Sequence, residues 1–333
     1  MNWFLYSLTA ILFWSGSDLF SKIGSRADDT YSHWKMVMAV GTVMGLHAIY
    51  LVATGTPFSP IDILTYLPAS TLYILSMIVG YAGLRYIELS LSSPVCNSSG
   101  AVAAILCFLF LQEPLGGLQL VGVVLVCAGV FALSVIEKRK DAAKRAALES
   151  AGDRRYTRSA AAIAFPLLYC LIDGLGTFAD AMLLDRRIAE AQANIAYEFT
   201  FLLMALFAFF YVVLVKGESI HLPREKPKIA AALCETAGQF AYIYAIGANA
   251  IVAAPMISAY CIVSLIWSRL FLKEKLSPAQ YLVIAIAAAG IVILGWNKRP
   301  PVTFLQGTGG RSFMRYFRGD FFYTPSAATK AGS

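Results

Sequence analysis

Apolar stretches of about 20 residues follow one another along most of the chain, separated by short segments that hold charges, Pro or Gly. A helix of about 20 apolar residues is long enough to cross a hydrocarbon core of roughly 30 Å. Because ten stretches meet this length, the pattern predicts an all-α membrane protein with ten transmembrane helices. Their predicted spans are about 3–23, 34–54, 64–86, 92–112, 118–136, 160–183, 194–215, 228–247, 251–272 and 278–296.

The composition supports a membrane protein and argues against a soluble one. Of the 333 residues, 58% are hydrophobic and 14% are charged, against roughly 45–50% and about 25% in soluble domains. A soluble fold needs a polar surface, so lipid must solvate much of this chain. All six cysteines lie in apolar stretches without a C-x-x-C pair, so we expect neither disulfides nor a metal site.

The two halves of the chain resemble each other. A shift of 161 positions places Pro94 on Pro255 and residues 109–115 (LFLQEPL) on residues 270–276 (LFLKEKL). Since each half holds five predicted helices, an odd number, the second half must cross the membrane in the opposite sense, as in inverted-repeat transporters. The predicted units are a first repeat in 1–136, a charged linker in 137–159, a second repeat in 160–296 and a tail in 297–333.

These features resemble the EamA-type branch of the drug/metabolite transporter superfamily. The resemblance rests on a Pro early in the fourth helix of each half, the acidic turns after it, and the Gly-containing fifth helices (CAGVFAL and AAGIVIL). Phe13-Trp14-Ser15-Gly16-Ser17 is similar to the Trp-Gly pattern that opens the family. The resemblance implies two five-helix repeats and metabolite transport. Members carry amino acids, amines, sugars or nucleotide sugars, so it leaves the substrate open.

The basic residues indicate an orientation in the membrane. Most of the 27 Lys and Arg residues fall in loops that follow odd-numbered helices, including the linker 137–159. The positive-inside rule then predicts a cytoplasmic linker and external termini. As a separate expectation, the protein lies in the plasma membrane of a bacterial cell. The family resemblance instead implies cytoplasmic termini, and the basic, aromatic segment 311–318 would suit the same leaflet.

Two predicted helices carry polar side chains on one face. An ionisable residue inside a membrane costs at least about 2.5–3.5 kcal/mol unless it faces protein or water. The spacings of 4, 4 and 3 in the sixth helix, and of 4 and 3 in the eighth, stack these residues on single faces. We expect both faces to border a substrate cavity, although interhelical hydrogen bonding alone would also explain them. The residues are Tyr169, Asp173, Thr177 and Asp180, and Glu235, Gln239 and Tyr242.

The first helix adds Trp14, Asp18 and Lys22. Trp14 is either an aromatic wall for a cation or a packing residue. Aligning the two halves sets basic residues of the first against acidic residues of the second, which predicts ion pairs that open and close as gates. Snorkelling to the membrane surface or local pairing is the alternative for these charges, since Asp18 and Lys22 are also an i, i+4 pair on one helix. The predicted gating pairs are Lys22 with Asp180 and Lys35 with Glu198.

Small polar residues accompany the two repeat prolines. Asn97 and Ser258 align in the repeat, and a Pro-kinked helix can expose polar groups to a cavity, so both are predicted substrate contacts. Close packing of small residues is the alternative. Gly41 and Gly45 form one G-x-x-x-G motif, which serves helix packing or, less commonly, a homodimer seam.

The sequence lacks the common motifs of enzymes and cofactor sites. It holds no H-E-x-x-H, G-x-S-x-G or P-loop. The three histidines are scattered, and the net charge of +7 collects in the linker and tail, where the linker pattern is typical of a solvated helix. We therefore expect neither catalysis, a cofactor nor a nucleic-acid partner.

The sequence thus predicts a secondary transporter in the lipid bilayer that moves a small cationic or zwitterionic metabolite by alternating access. Asp173 or Glu235 would bind the substrate or exchange a proton for it. Two alternatives stay open: a sugar or nucleotide-sugar carrier, and a scaffold or receptor that transports nothing.

Overall fold

The structure is a computed structural model, and it describes residues 3–25, 29–83, 95–111, 116–150, 164–271 and 276–296. Throughout these ranges the chain forms helices and short connections, with no strand. Pro94, both acidic turns at 112–115 and 272–275, the linker after residue 150 and the tail lie outside the described residues.

The helices overlap the predicted apolar stretches, but where the sequence predicts helices 228–247 and 251–272 the structure has one helix that ends at Ser258 and a second that begins at Tyr260. In the first half they are α1 (Trp3–Gly24), α2 (Ser32–Ala53), α3 (Pro60–Gly83), α4 (Ser99–Phe110) and α5 (Gly117–Ser150). In the second half they are α6 (Ala164–Arg186), α7 (Glu190–Phe209) with a π-helical continuation (Phe210–Val215), α8 (Leu222–Ser258), α9 (Tyr260–Phe271) and α10 (Pro278–Trp296). Helix α5 continues well past its apolar part, so the first part of the charged linker is helical.

Six helical stretches of the described residues are long and apolar enough to cross a membrane. Two shorter apolar helices, Ser99–Phe110 and Pro278–Leu294, accompany them. The outward faces carry large apolar side chains that are more than half exposed, which suits contact with lipid. Examples are Leu46, Leu64, Phe131, Leu203 and Leu282. The six spanning stretches are Ser32–Ala53, Pro60–Gly80, Gly117–Ile136, Ala164–Asp185, Glu190–Val215 and Leu222–Phe271.

Helix α8 passes through the region where the sequence predicts a break between 247 and 251. The backbone departs from helical geometry there, at Asn249 (φ −168°, ψ 85°). The Asn249 Oδ1 atom accepts a hydrogen bond from the backbone N–H of Val252 at 3.4 Å, as a residue at a helix N-terminus does. A second helical segment therefore starts at the kink, contains Pro255 and ends at Ser258.

The helices pack in pairs around α8. The closest pairs are α1 with α8, α2 with α7, α3 with α6, and α5 with α10, while α4 contacts both α6 and α8. Nearly every residue of α8 from Ala250 to Ser258 is buried, so this segment forms the centre of the unit Met1–Lys298. The second unit, Arg299–Ser333, lies outside the described residues.

Helix α2 approaches α7 through the G-x-x-x-G motif. A Cβ atom on Gly41 would overlap the backbone carbonyl of Phe201 and Ala205, and one on Gly45 would lie 2.7 Å from Leu202. Both glycines are buried against α7 of the same chain. The motif therefore packs helices within the molecule, which is the first of the two roles predicted for it.

Candidate functional site

A cavity lies among α1, α3, α4, α6 and α8. Its empty volume is about 1090 Å³, including open solvent at the mouth. Three acidic residues from three helices reach it, namely Asp18 of α1, Asp173 of α6 and Glu235 of α8. Within the described part of the chain, no Lys, Arg or His lines the cavity. The cavity is therefore acidic.

Asp173 is held by hydroxyl groups from two neighbouring helices. Ser76 of α3 donates a hydrogen bond to Asp173 Oδ1 at 3.1 Å, and Ser99 of α4 donates to Oδ2 at 2.8 Å. Tyr169, one turn earlier on α6, also donates to this carboxylate. The partners fix the carboxylate at the cavity wall and are themselves uncharged, so its negative charge is available to a ligand.

The other two acids of the cavity are also bonded to serines. The Ser17 hydroxyl of α1 donates to Glu235, and the Ser264 hydroxyl of α9 donates to Asp18 Oδ2 at 2.9 Å. The serine hydroxyls orient the carboxylates of Glu235 and Asp18 at the cavity wall. A cation that enters the cavity therefore meets three positioned acidic groups.

Aromatic rings form another wall of the cavity. The Trp14 ring lies 4.9 Å from the Tyr242 ring and 5.7 Å from the Tyr260 ring, measured between centroids. Trp14 packs directly on Gly238, where a Cβ atom would overlap the indole. Absence of a side chain at Gly238 thus lets the indole lie against α8. The aromatic faces offer cation–π contacts beside the acidic groups.

A buried hydroxyl network borders the cavity. The Tyr73 hydroxyl lies 2.5 Å from that of Tyr242 and 3.2 Å from the Thr177 hydroxyl, and all three residues line the cavity. Behind them, Tyr66 donates to Asp180 Oδ1 at 2.7 Å and Tyr73 donates to Oδ2 at 3.4 Å. Asp180 has an exposed fraction of 0% and does not line the cavity.

All ten residues predicted to contact substrate line this one cavity. Ser258 contributes little polarity, because its hydroxyl donates to the carbonyl of Ala254 at 3.0 Å and packs on Gly100 of α4. For Ser258 the structure therefore favours the packing alternative. The ten residues are Trp14, Asp18, Asn97, Tyr169, Asp173, Thr177, Glu235, Gln239, Tyr242 and Ser258.

The predicted gating pairs do not form as proposed. Lys35 pairs with Asp29 at 3.0 Å, whereas Glu198 pairs with His47 at 2.7 Å and accepts a hydrogen bond from Asn194. Lys35 stands in the first turn of α2, while Glu198 faces the middle of that helix, so the two cannot meet. The acid of the other predicted pair, Asp180, is bonded to two tyrosines instead of a cation.

Sequence reasoning missed the contribution of α3 and of two neighbouring helices. Tyr73 and Ser76 of α3, Ser99 of α4 and Tyr260 of α9 all take part in the site. A signal for α3 was present, because Tyr66, Ser70 and Tyr73 are spaced by 4 and 3, as are the polar residues of α8.

A charged cluster joins the α1–α2 connection, which lies outside the spanning segments, to the start of α8. Lys228, with an exposed fraction of 2%, lies 3.5 Å from Asp29 and 2.5 Å from Glu225. Burial of Asp29 works to raise its pKa, but the hydrogen bond and charge of Lys35, with the charge of Lys228, outweigh it. The pKa of Asp29 therefore lies below its ordinary value of 3.8.

Metal-binding chemistry is not evident in the described ranges. They hold no group of three or more His, Cys, Asp or Glu side chains placed around one point. The oxygen-rich wall of the cavity is built mainly from hydroxyl groups, which suit hydrogen bonding to an organic ligand.

Comparison with known proteins decides the family. The sequence model of the EamA-like transporter family matches residues 1–135 and 161–296, which is most of the chain. The chain belongs to the EamA-like transporter family. This family is part of the drug/metabolite transporter superfamily, and its members are transporters and not enzymes. The EamA-like chain is accordingly a multi-pass membrane protein of a transporter family.

The fold of this EamA-like protein is similar to that of a solved structure. One solved structure, described only as "Crystal structure of protein", is 13% identical and has a TM-score of 0.63. The match covers 87% of this chain and 95% of that one. At this identity the likeness shows a shared fold and nothing about substrate. No curated protein sequence matches the chain.

Proposed function

We propose that this EamA-like protein is a secondary transporter for a small polar metabolite that carries a positive charge, such as an amine or an amino acid. The observation that carries the proposal is the acidic cavity. Asp18, Asp173 and Glu235 face it, and no basic side chain lines it within the described residues. A cation gains favourable electrostatic energy there, because low-dielectric walls screen charges less than water does.

The other lining groups fit the same class of ligand. Trp14, Tyr242 and Tyr260 present aromatic faces, which attract ammonium groups. The amides of Asn97 and Gln239 can both donate and accept hydrogen bonds, so they suit the polar remainder of an amine or the carboxylate of an amino acid. Both a cationic and a zwitterionic substrate are compatible with this lining.

The alternatives fit the cavity less well. A nucleotide sugar carries negative charge, which three carboxylates would repel, and neither Lys22 nor Lys35 is among the described lining residues. A scaffold without transport would be expected to fill its centre with large apolar side chains. A cavity that three acidic side chains reach argues for a bound solute.

Alternating access between two inverted five-helix halves is our proposed transport mechanism. Its support is the pattern of helix contacts. If each helix of α1–α5 is exchanged with the one five places later, α1–α8 contacts become α6–α3 contacts, α2–α8 become α7–α3, and α4–α6 become α9–α1. All six of these contacts are present, and the α2–α7 and α5–α10 pairs map onto themselves. Such pseudo-symmetry lets the two halves rock about a central site.

For the cellular setting, our proposal is the plasma membrane of a bacterial cell with the linker 137–159 on the cytoplasmic side. The support is the excess of Lys and Arg in loops on that side. Reporter fusions made after Arg139, an exposed residue on the linker, and before α1 test it. Cytoplasmic activity at both positions would contradict the proposed sidedness of the termini.

The test of function is ligand-induced stabilisation of the purified protein, followed by uptake into proteoliposomes. The panel holds putrescine, choline, L-lysine, L-alanine, glucose and UDP-glucose. We expect cationic or zwitterionic compounds to raise the melting temperature and to be taken up. Asp173→Asn and Glu235→Gln should each weaken binding by about tenfold or more, because each removes a charge-assisted contact.

The matched control is Glu218→Gln, which removes an acidic charge from the connection between α7 and α8, outside the cavity. It should bind as the unchanged protein does. Stabilisation by glucose or UDP-glucose alone, or equal binding in both cavity variants, would overturn the proposed substrate class.

A further inference from the structure

Asp180 is a buried acid whose partners in the described part of the chain are uncharged. It lies on α6 with an exposed fraction of 0%, and its hydrogen-bond partners are the phenols of Tyr66, Tyr73 and Tyr242. Within the described residues no Lys, Arg or His contacts it. A lone carboxylate in a low-dielectric interior is costly, and protonation removes that cost. The surroundings of Asp180 therefore permit a neutral acid as well as an anion.

A chain of hydroxyl groups connects Asp180 to the cavity. Tyr73 lies 3.4 Å from Asp180 Oδ2 and 2.5 Å from the hydroxyl of Tyr242. Thr177 lies 3.2 Å from both phenols. Tyr73, Tyr242 and Thr177 line the cavity, whereas Asp180 does not. Every step between cavity and acid is thus within hydrogen-bond reach.

The same network provides hydrogen-bond partners for the Asp180 carboxyl group in both its ionised and its protonated form. When Asp180 is ionised, Tyr66 donates to Oδ1, Tyr73 donates to Oδ2 and Tyr242 donates to Tyr73. When Oδ2 carries a proton, it donates to the Tyr73 oxygen, and Tyr73 donates to Tyr242. Because hydroxyl groups both donate and accept, the change needs only hydroxyl rotation and no movement of heavy atoms.

We propose that Asp180 is a proton-binding site, separate from the cavity acids that contact the transported molecule, and that the Tyr73 and Tyr242 hydroxyls load and unload it. In loading, Tyr73 gives its proton to Asp180 Oδ2, takes one from Tyr242, and Tyr242 takes one from hydronium in the cavity. Both tyrosines end neutral, and the net change is one proton moved from water to Asp180. Unloading is the reverse.

This inference rests on the proposed function and adds how transport of the cation is coupled to movement of a proton. Thr177 lies one helical turn from Asp180 and lines the cavity, so a cation bound there favours the ionised form of Asp180. The proton and the cation then exclude each other, which is the condition for exchange of one against the other. The mechanism predicted from sequence placed the proton on Asp173 or Glu235 instead.

Other titratable groups around Asp180 belong to each helix that packs on α6. Helix α3 supplies Tyr66 and Tyr73, α8 supplies Tyr242, and α7 supplies Tyr197, whose ring contacts the rings of Tyr66 and Tyr73. The segment before α4 presents Cys96 to the cavity, and α6 itself carries Asp173 two turns away. Tyrosine and cysteine stay neutral near pH 7 in such surroundings, which leaves the carboxyl groups as the titrating sites.

The test is infrared difference spectroscopy of the full-length protein in lipid nanodiscs, titrated over roughly pH 4 to 9. We expect a carboxylic-acid carbonyl band that appears as the pH falls, is lost in Asp180→Asn, and persists in Asp173→Asn and Glu235→Gln. A band that titrates unchanged in Asp180→Asn, or the absence of any titrating band, would overturn the proposal. No substrate is needed, so the result is independent of the ligand screen.

A second variant tests the route and covers failure of Asp180→Asn to fold. Tyr73→Phe keeps the acid and removes the hydroxyl that links it to the cavity. After a pH jump, the band should form more slowly by about tenfold or more, because a missing relay group interrupts proton transfer. Tyr281→Phe, an exposed position on α10, is the matched control and should leave the rate unchanged. An equal rate in Tyr73→Phe would refute the hydroxyl route.

Discussion

His47 of α2 and Glu198 of α7 lie 2.7 Å apart, from Nδ1 to Oε1, although 151 positions separate them in the chain. Glu198 is fully buried, and Asn194 donates to the same oxygen at 3.0 Å. The pair therefore joins the two halves of the molecule through α2 and α7.

Replacing His47 with Phe should destabilise the protein by about 1–3 kcal/mol, because it leaves a buried carboxylate short of a donor. The measurement is thermal unfolding in detergent. In the double variant His47→Phe, Glu198→Gln the acid is gone as well, and we expect part of the loss to be recovered. Simple addition of the two single effects would contradict a direct interaction.

Gly100 of α4 allows close contact with the segment that contains Pro255. A Cβ atom there would overlap the Ser258 hydroxyl and lie 2.6 Å from the Ala254 carbonyl oxygen. Gly100→Ala should cost about 1–3 kcal/mol of stability through overpacking. Gly117→Ala is the matched control, since a Cβ atom at Gly117 meets nothing within 4 Å. Equal melting temperatures for the two variants would show that the contact is unimportant.

Gly41 is expected to matter for the fold and not for association. Gly41→Val should lower the melting temperature, because the side chain would collide with the α7 backbone at Phe201. The mass of the protein–detergent complex by light scattering should stay the same. Leu46→Ala, on the exposed side of α2, is the control. A change in oligomeric state in Gly41→Val with unchanged stability would contradict this expectation and support a homodimer seam.

The Asp29 cluster should make stability depend on pH in the acid range. The pKa of Asp29 in the folded protein lies below its ordinary value of 3.8, because Lys35 and Lys228 outweigh the effect of burial. Its stabilisation is therefore complete above about pH 4 and is lost as the pH falls through the lower native pKa. The melting-temperature difference between the unchanged protein and Asp29→Asn should shrink from pH 6 to pH 3. A constant difference would contradict the linkage.

Periodicity and length were enough to predict the helices and much of the cavity. Asp173, Thr177 and Tyr169 share a face by spacing alone, and an acid in a membrane must turn away from lipid. Partners on other helices were not predictable in this way. Glu198 was assigned to Lys35 by symmetry, whereas its partner is His47, because the depth of a side chain along its helix decides which groups meet. Lys228 is another case, since only the fold shows that it is buried between Asp29 and Glu225.

Helices α1 and α8 form one of the closest pairs in the molecule, although their first residues, Trp3 and Leu222, are far apart in the chain. Because translation runs from the N-terminus, α1 is synthesised well before α8. Until α8 is inserted, the face of α1 that carries Ser17 and Asp18 lacks its final neighbours in the bilayer. Membrane insertion of this protein must therefore tolerate an acidic side chain on α1 without those neighbours until α8 is in place.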